Sequence, residues 1–247
     1  MNETETATAT EPQDKIRERL LDAAMVHVAF DGWSEATFRA ACRDAGVDAS
    51  VARMVCPRGG VDLALAYHER GDRLMQERLE REDLPTMRLR DRIVRAVRTR
   101  IEVIDDKEAV RRGSTLLTLP QYAGDGAQAI WSTADRIWNA LGDDSDDLNW
   151  YTKRASLSGV YSSTVLYWLG DDSAGNEATW AFLDRRVGNV MQLEKVRAQM
   201  TGNPVLKRLF AGPNWILGKV RAPGAPNEVP GSWAEDRPAR GAAFRHR

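Results

Sequence analysis

Apolar residues recur along this chain at steps of three and four, the spacing of one face of an α-helix. Ile16, Leu20, Ala23, Ala24 and His27 set a first helix, with Asp14 as its cap and Gly32 as its stop. Ser34 caps a second, with Thr37 three residues on where a full capping box would carry Glu. Gly46 ends that helix, Asp48 caps a short third, and Pro57 closes it. A fourth helix over 60–83 places Leu63, Tyr67 and Leu74 on one side. Beyond Pro85 the pattern predicts helices over 87–104, 107–119, 127–141, 148–169 and 176–200. A short last one over 205–217 is interrupted by Gly212-Pro213. Trp131 and Trp138 share a face of the seventh helix. On the ninth, Trp180, Leu183, Val187 and Val190 form a seam for a partner helix. No strand-type alternation lasts, so the expected fold is all-α with about ten helices.

At 247 residues the chain has room for a small head and a larger body. The expected division is a disordered lead over 1–13, a head over 14–60, a body over 61–201, an amphipathic helix over 202–221 and a disordered tail over 222–247. A formal charge of −1 gives no global positive field. No run of about 18 apolar residues occurs, so no membrane-crossing helix is expected. Residues 1–14 hold no Lys or Arg, unlike a signal or transit peptide. The two cysteines, Cys42 and Cys56, lie on apolar helical faces and make no CxxC. Buried free thiols in a reducing, cytoplasmic setting fit that usage.

Three short helices with a turn at Gly46, followed by a long helix, resemble the tetracycline-repressor layout. That layout sets an N-terminal helix-turn-helix head on a larger helical body for ligand binding and dimerisation. Residues 48–56 would then enter the major groove. They offer one cation, Arg53, against one anion, Asp48. The segment 15–60 has seven Lys/Arg (15, 17, 19, 39, 43, 53, 58) and six Asp/Glu (18, 22, 31, 35, 44, 48), a balance of +1. Affinity for nucleic acid comes largely from counterions released by several neutralised phosphates. The head is therefore not expected to read DNA. A ligand-responsive transcriptional repressor stays the alternative on the layout alone.

Catalytic constellations are scarce. None of His27, His68 and His246 sits in HExxH, and none follows a carboxylate by three residues, so the ExxH pairs of helical di-iron enzymes are absent. No P-loop, GxGxxG or GxSxG occurs. His27 and His68 read as hydrogen-bonded core histidines rather than ligands. The expectation is a protein that is not an enzyme, with no metal and no cofactor.

Aromatic residues crowd the body, with Trp at 131, 138, 150, 168 and 180 and Tyr at 151, 161 and 167. Packed core and dimer seam account for them, or some line a ligand cavity between helices. The candidate cavity residues are Leu116, Trp131, Trp138, Tyr161, Val165 and Trp168. Trp150 and Tyr151 follow an acidic loop and point about 100° apart. They form either a partner-binding hot spot beside Asp147 or a core anchor. From 201 to 227 there are four cations and no acid. Lys207, Arg208, Leu209, Phe210, Trp215 and Ile216 suit a helix lying on an anionic membrane surface, the alternative being a helix docked on its own body. Six Arg over 88–100 read as a solvated face that could also meet headgroups.

Several segments together carry a more specific resemblance: Phe30-Asp-Gly-Trp-Ser34, Val61-Asp-Leu-Ala-Leu-Ala-Tyr-His68, Leu117-Thr-Leu-Pro-Gln121, Asn149-Trp-Tyr-Thr-Lys-Arg154, Tyr167-Trp-Leu-Gly-Asp-Asp-Ser173 and Trp180-Ala-Phe-Leu-Asp-Arg-Arg186. Over roughly 15–200 the chain resembles the ninth Coq protein family, which serves ubiquinone (coenzyme Q) biosynthesis. Tyr122 stands where the family usually has Asn. The resemblance implies a tetracycline-repressor-like homodimer that no longer reads DNA and binds an isoprenoid or phospholipid. It implies a non-catalytic role, presenting the membrane-bound quinone precursor to demethoxyubiquinone hydroxylase. By position Asp147, Trp150, Tyr151 and Ile137 match the hydroxylase-facing patch. The expected location is peripheral, on the inner face of the cytoplasmic membrane.

Overall fold

The computed structural model describes residues 12–104, 106–145 and 148–202, with 193–202 as helical backbone alone. Among the described residues there are nine α-helices, two 3-10 turns and no strand. The helices are α1 (Gln13–Asp31), α2 (Glu35–Asp44), α3 (Ala49–Val55), α4 (Gly60–Leu79), α5 (Leu89–Glu102), α6 (Lys107–Leu117), α7 (Ala123–Ala140), α8 (Leu148–Leu169) and α9 (Glu177–Gly202). The last helix expected from sequence, over 205–217, and the lead over 1–11 lie outside the described residues.

Local chemistry sets most boundaries. The Ser34 hydroxyl accepts the Thr37 N–H at 3.2 Å, and the Asp48 carboxylate accepts the Ser50 N–H at 2.8 Å, so both predicted caps form. Asp14 does not cap α1; Pro12 takes the cap position and Asp14 lies in the first turn, where its charge favours the helix dipole. Helix α7 begins four residues before the predicted start, at Ala123. Gly124 and Gly126 look like loop formers in sequence, but an added Cβ on Gly126 would lie 3.0 Å from the Leu117 carbonyl oxygen. The glycine lets α7 approach the end of α6.

Two apolar cores result. Ile16, Leu20, Leu21 and Val28 of α1, Phe38 and Ala41 of α2, Ala52 and Val55 of α3 and Leu63 of α4 form the head core. Met75 and Leu79 of α4, Ile93 and Val97 of α5, Ile137 of α7, Val160 of α8 and Leu183 and Val187 of α9 form the body core. Helix α4 belongs to both and fixes one to the other. The seam on α9 packs against α5 and α8 of its own chain. Trp33 adds a second link: its indole Nε1 donates to the Ala109 carbonyl of α6 at 2.9 Å. Cys42 and Cys56 are buried free thiols, and burial pushes the Cys56 thiol up to about 11.

At the start of α4, a Cβ on Gly60 would stand 2.5 Å from the Trp33 carbonyl oxygen and 2.7 Å from that of Ser34. Both are backbone atoms that cannot swing away. Gly60→Ala is expected to cost about 1–3 kcal/mol through overpacking. Gly124→Ala, with nothing within 4 Å of the added carbon, should instead gain about 0.5 kcal/mol. Urea denaturation of the two variants checks both signs.

Candidate functional site

Helices α4 to α8 enclose a cavity of about 480 Å³. The volume falls in the range of small-ligand sites. Its walls are mostly apolar: Val103 and Ile104 after α5, Val110 and Leu117 of α6, Ile130 of α7, Val165 of α8. Exposed Leu74, Leu166, Thr118, Ala123 and Ala127 mark the opening, while Trp33, Gly71, Arg100 and Tyr161 are buried wall residues. Trp33 packs on Tyr67 with ring centroids 5.6 Å apart.

One stretch of wall is polar. Arg100 is 2% exposed, and its Nε donates to Asp72 Oδ1 at 2.6 Å. Its Nη2 donates to the His68 carbonyl at 2.9 Å. Thr133 of α7 donates to the same Asp72 oxygen at 2.8 Å, and His68 Nε2 lies 2.8 Å from the Thr133 hydroxyl. Asp72 only accepts, so the consistent chain runs from His68 N–H to Thr133 O–H to the carboxylate. Burial, and then the nearby Arg100 charge, push the His68 pKa down to about 4. His68 is thus neutral at pH 7.

The expected cavity residues divide. Tyr161 and Val165 line the cavity. Leu116 does not; it packs against the head core, and its neighbour Leu117 takes the wall position. Trp138 is a buried core residue whose Nε1 donates to the Lys153 carbonyl at 3.1 Å. Trp168 is core too, with Lys107 Nζ 5.2 Å above its ring. Trp131 faces Trp150 and Tyr151 at centroid distances of 5.9 and 6.4 Å. Weight placed on large aromatics missed a wall built from aliphatics of four helices and of the segment after α5. Arg100 was missed as well, although its signal is legible: Ile93, Val97, Arg100 and Ile104 fall at steps of four, three and four, on an inward face.

The aromatic patch is held by a buried cation. Arg154, 1% exposed, pairs with Asp135 at 2.5 Å and Asp143 at 3.0 Å. Its guanidinium lies 4.0 Å from the Trp150 ring centroid. Burial works against the Asp143 carboxylate, but hydrogen bonds from Lys153, Ser145 and Arg154 keep its pKa below the usual value. Trp150 and Tyr151 are half-buried, 4.8 Å apart. Ile137 is fully buried in the body core and presents no surface to a partner. Asp147 and the membrane candidates Lys207, Arg208, Leu209, Phe210, Trp215 and Ile216 lie outside the described residues.

The basic stretch 88–100 is largely absorbed within the chain. Arg90 pairs with Asp184 at 2.7 Å, Arg95 with Glu82 at 2.6 Å and Arg98 with Glu102 at 2.7 Å. In the head, Arg53 of α3 is bound by Glu35 of α2 and stacks 4.5 Å from the Phe38 ring centroid. Among the described residues no His, Cys, Asp and Glu cluster could hold a metal, and no helix is long and apolar enough to cross a membrane.

A neutral His68 in the fold ties stability to pH. Its folded pKa lies below the ordinary 6.5, so its contribution is complete above pH 6.5 and is lost as pH falls towards about 4. Between pH 7 and 5.5 that loss is about 1 kcal/mol. His68→Gln keeps an amide donor for Thr133 but does not titrate. Denaturation at the two pH values should show the wild type losing about 1 kcal/mol more than the variant.

A family model described as COQ9 matches residues 123–194, spanning α7, α8 and most of α9. The chain is 31% identical over 210 residues to the ubiquinone biosynthesis protein COQ9, mitochondrial, of Rattus norvegicus, covering 81% of this chain and 67% of that protein. To the Homo sapiens protein it is 30% identical over 210 residues, 81% of this chain and 66% of that one. The Drosophila melanogaster protein is 31% identical over 194 residues, 76% of this chain and 59% of its own length. The chain thus spans about two thirds of the length of the curated relatives it matches. A crystal structure of a TetR transcriptional regulator from Nitrosomonas europaea superposes with a TM-score of 0.59 at 16% identity, over 72% of this chain and 99% of that one. That likeness fixes the tetracycline-repressor-like fold. On the sequence matches, the chain belongs to the COQ9 family.

Proposed function

We propose that this protein is a lipid-binding accessory protein of ubiquinone biosynthesis that presents a quinone precursor to demethoxyubiquinone hydroxylase at a membrane. The carrying observation is the apolar cavity of about 480 Å³ inside a chain of this family. Its walls suit an isoprenoid or acyl tail. A non-catalytic role is supported by the state of its polar wall. His68, Thr133, Asp72 and Arg100 are engaged with one another, and no activated nucleophile stands among them.

The placement of the opening supports delivery to a partner. Ala127 at the mouth and Trp131 of the aromatic patch are four residues apart on α7, hence neighbours on one face. A protein docked on Trp131, Trp150 and Tyr151 would sit beside the mouth. The sequence 201–227, with four cations and no acid, supports contact with an anionic membrane. Exposed Leu166 and Tyr167 of α8 offer apolar area for a second copy in a homodimer. A DNA-reading role is disfavoured, because Arg53 of α3 is already held by Glu35.

Protein purified natively should release an isoprenoid or phospholipid in native mass spectrometry. Ala127→Trp, at an exposed position of the mouth, should lower that occupancy roughly tenfold while the melting temperature holds. Cells lacking the gene should accumulate demethoxyubiquinone; normal quinone pools would sink the proposal. Tyr151→Ala should weaken capture of the hydroxylase by about tenfold or more, as removal of a hot-spot aromatic does. Undiminished capture would move the docking surface elsewhere.

A further inference from the structure

We propose that Arg100 is the polar anchor of the cavity, donating from Nη1 to a neutral carbonyl oxygen of the bound molecule. The ligand then lies with its polar end against Arg100 and its apolar tail toward Leu74 and Leu166. This rests on the reading of the cavity as a lipid site. The observation behind it is an unmet donor. Arg100 Nη1 is buried and has no hydrogen-bond partner among the described residues. Buried polar groups are almost always paired, and a donor on a charged group is the costliest to leave unmet. Arg100 and the Gly71 that Nη1 lies against are both wall residues, so the unmet donor stands at the margin of the cavity.

The rest of the guanidinium is fixed. Nε is held by Asp72 at 2.6 Å and Nη2 by the His68 carbonyl at 2.9 Å, which leaves one arm of a rigid fork to bind. Space for that arm comes from Gly71 in the middle of α4. A Cβ there would stand 2.6 Å from Nη1, so any side chain at 71 would displace the group. Glycine in a helix interior is unfavourable, and this close approach accounts for it.

Charge selects the acceptor. Asp72 pairs with Arg100 at 2.6 Å, Arg136 beyond it at 3.8 Å has Glu69 as a second partner at 3.4 Å, and His68 beside them is neutral at pH 7. A phosphate or carboxylate would bring a second anion into this apolar cavity, where burying a charge without its own partner is costly. A ketone, ester or quinone oxygen accepts the hydrogen bond without adding charge.

The test is isothermal titration of the full chain with three probes that share a decyl tail: decyl-1,4-benzoquinone, decylbenzene and decyl phosphate. The quinone should bind about tenfold more tightly than decylbenzene, the value of one charge-assisted hydrogen bond. Arg100→Lys keeps a charge for Asp72 but loses the fork. In that variant the ratio should fall to about one. Equal binding of quinone and hydrocarbon to the wild type would overturn the anchor while leaving the lipid cavity standing. A preference that survives in Arg100→Lys, or tightest binding by decyl phosphate, would also overturn it. Failure of all three probes to bind would overturn the cavity reading and the anchor together. Should Arg100→Lys not fold, the wild-type ratios decide by themselves.

Discussion

The body of this protein is organised around an ion pair that water does not reach. Arg100 and Asp72 are each about 2% exposed or less, on two different helices, and Thr133 brings in a third. Removing one partner of such a pair strands a charge and typically costs about 3–5 kcal/mol. Replacing both by apolar residues is often neutral, so burial of the pair is poor evidence of stabilisation. Its consequence is geometric. It sets α5 against α4 with a guanidinium between them, and Gly71 supplies the room. The cavity is what remains between these helices and α6 to α8.

The head takes its place in the same arrangement. Two of its cations are used inside the chain: Arg53 on Glu35, and Arg58 on Asp62 and Asp125. Arg70 and Arg73 of α4 in turn hold Glu18 of α1. The Phe30–Ser34 segment shows how the head contributes to the cavity. Gly32 takes a positive φ of 63°, Thr37 donates to its carbonyl at 2.6 Å, and Trp33 is thereby set into the cavity wall. Head and body are thus joined by packing, hydrogen bonds and ion pairs, and Arg53, the arginine of α3, is held by Glu35.

Helices, caps and fold class were legible in the sequence because they depend on neighbours within four residues. Ser34 and Asp48 show this, each accepting a nearby backbone N–H, whereas Asp14 yields the cap position to Pro12. The cavity was not legible, because its lining converges from five helices and no periodicity marks convergence. Arg100 illustrates the difficulty. It belongs to a run of arginines in which Arg90, Arg95 and Arg98 pair near the surface, and only its place among Ile93, Val97 and Ile104 separates it from them. The tryptophans misled for the opposite reason. Large aromatics draw attention as ligand contacts, yet Trp138 and Trp168 fill the core, where their area does most.

Trp131 carries the argument furthest. It was expected in the cavity, and it stands instead one helical turn from the mouth, packed on Trp150 and Tyr151. Arg154 beneath Trp150 is held by Asp135, Asp143 and Asn139, so Trp150 rests on a cation fixed within the chain. A rigid aromatic surface loses little side-chain entropy on binding. Helix α7 carries both features on one face: its residues from Ala123 to Ile130 contribute to the cavity wall and opening, and Trp131 begins the aromatic patch that we propose as a docking surface. A ligand leaving past Ala127 would meet a docked partner within about one turn of helix, roughly 6 Å. That proximity follows from helical geometry alone, and it would let one short stretch of sequence serve both the proposed lipid and the proposed partner.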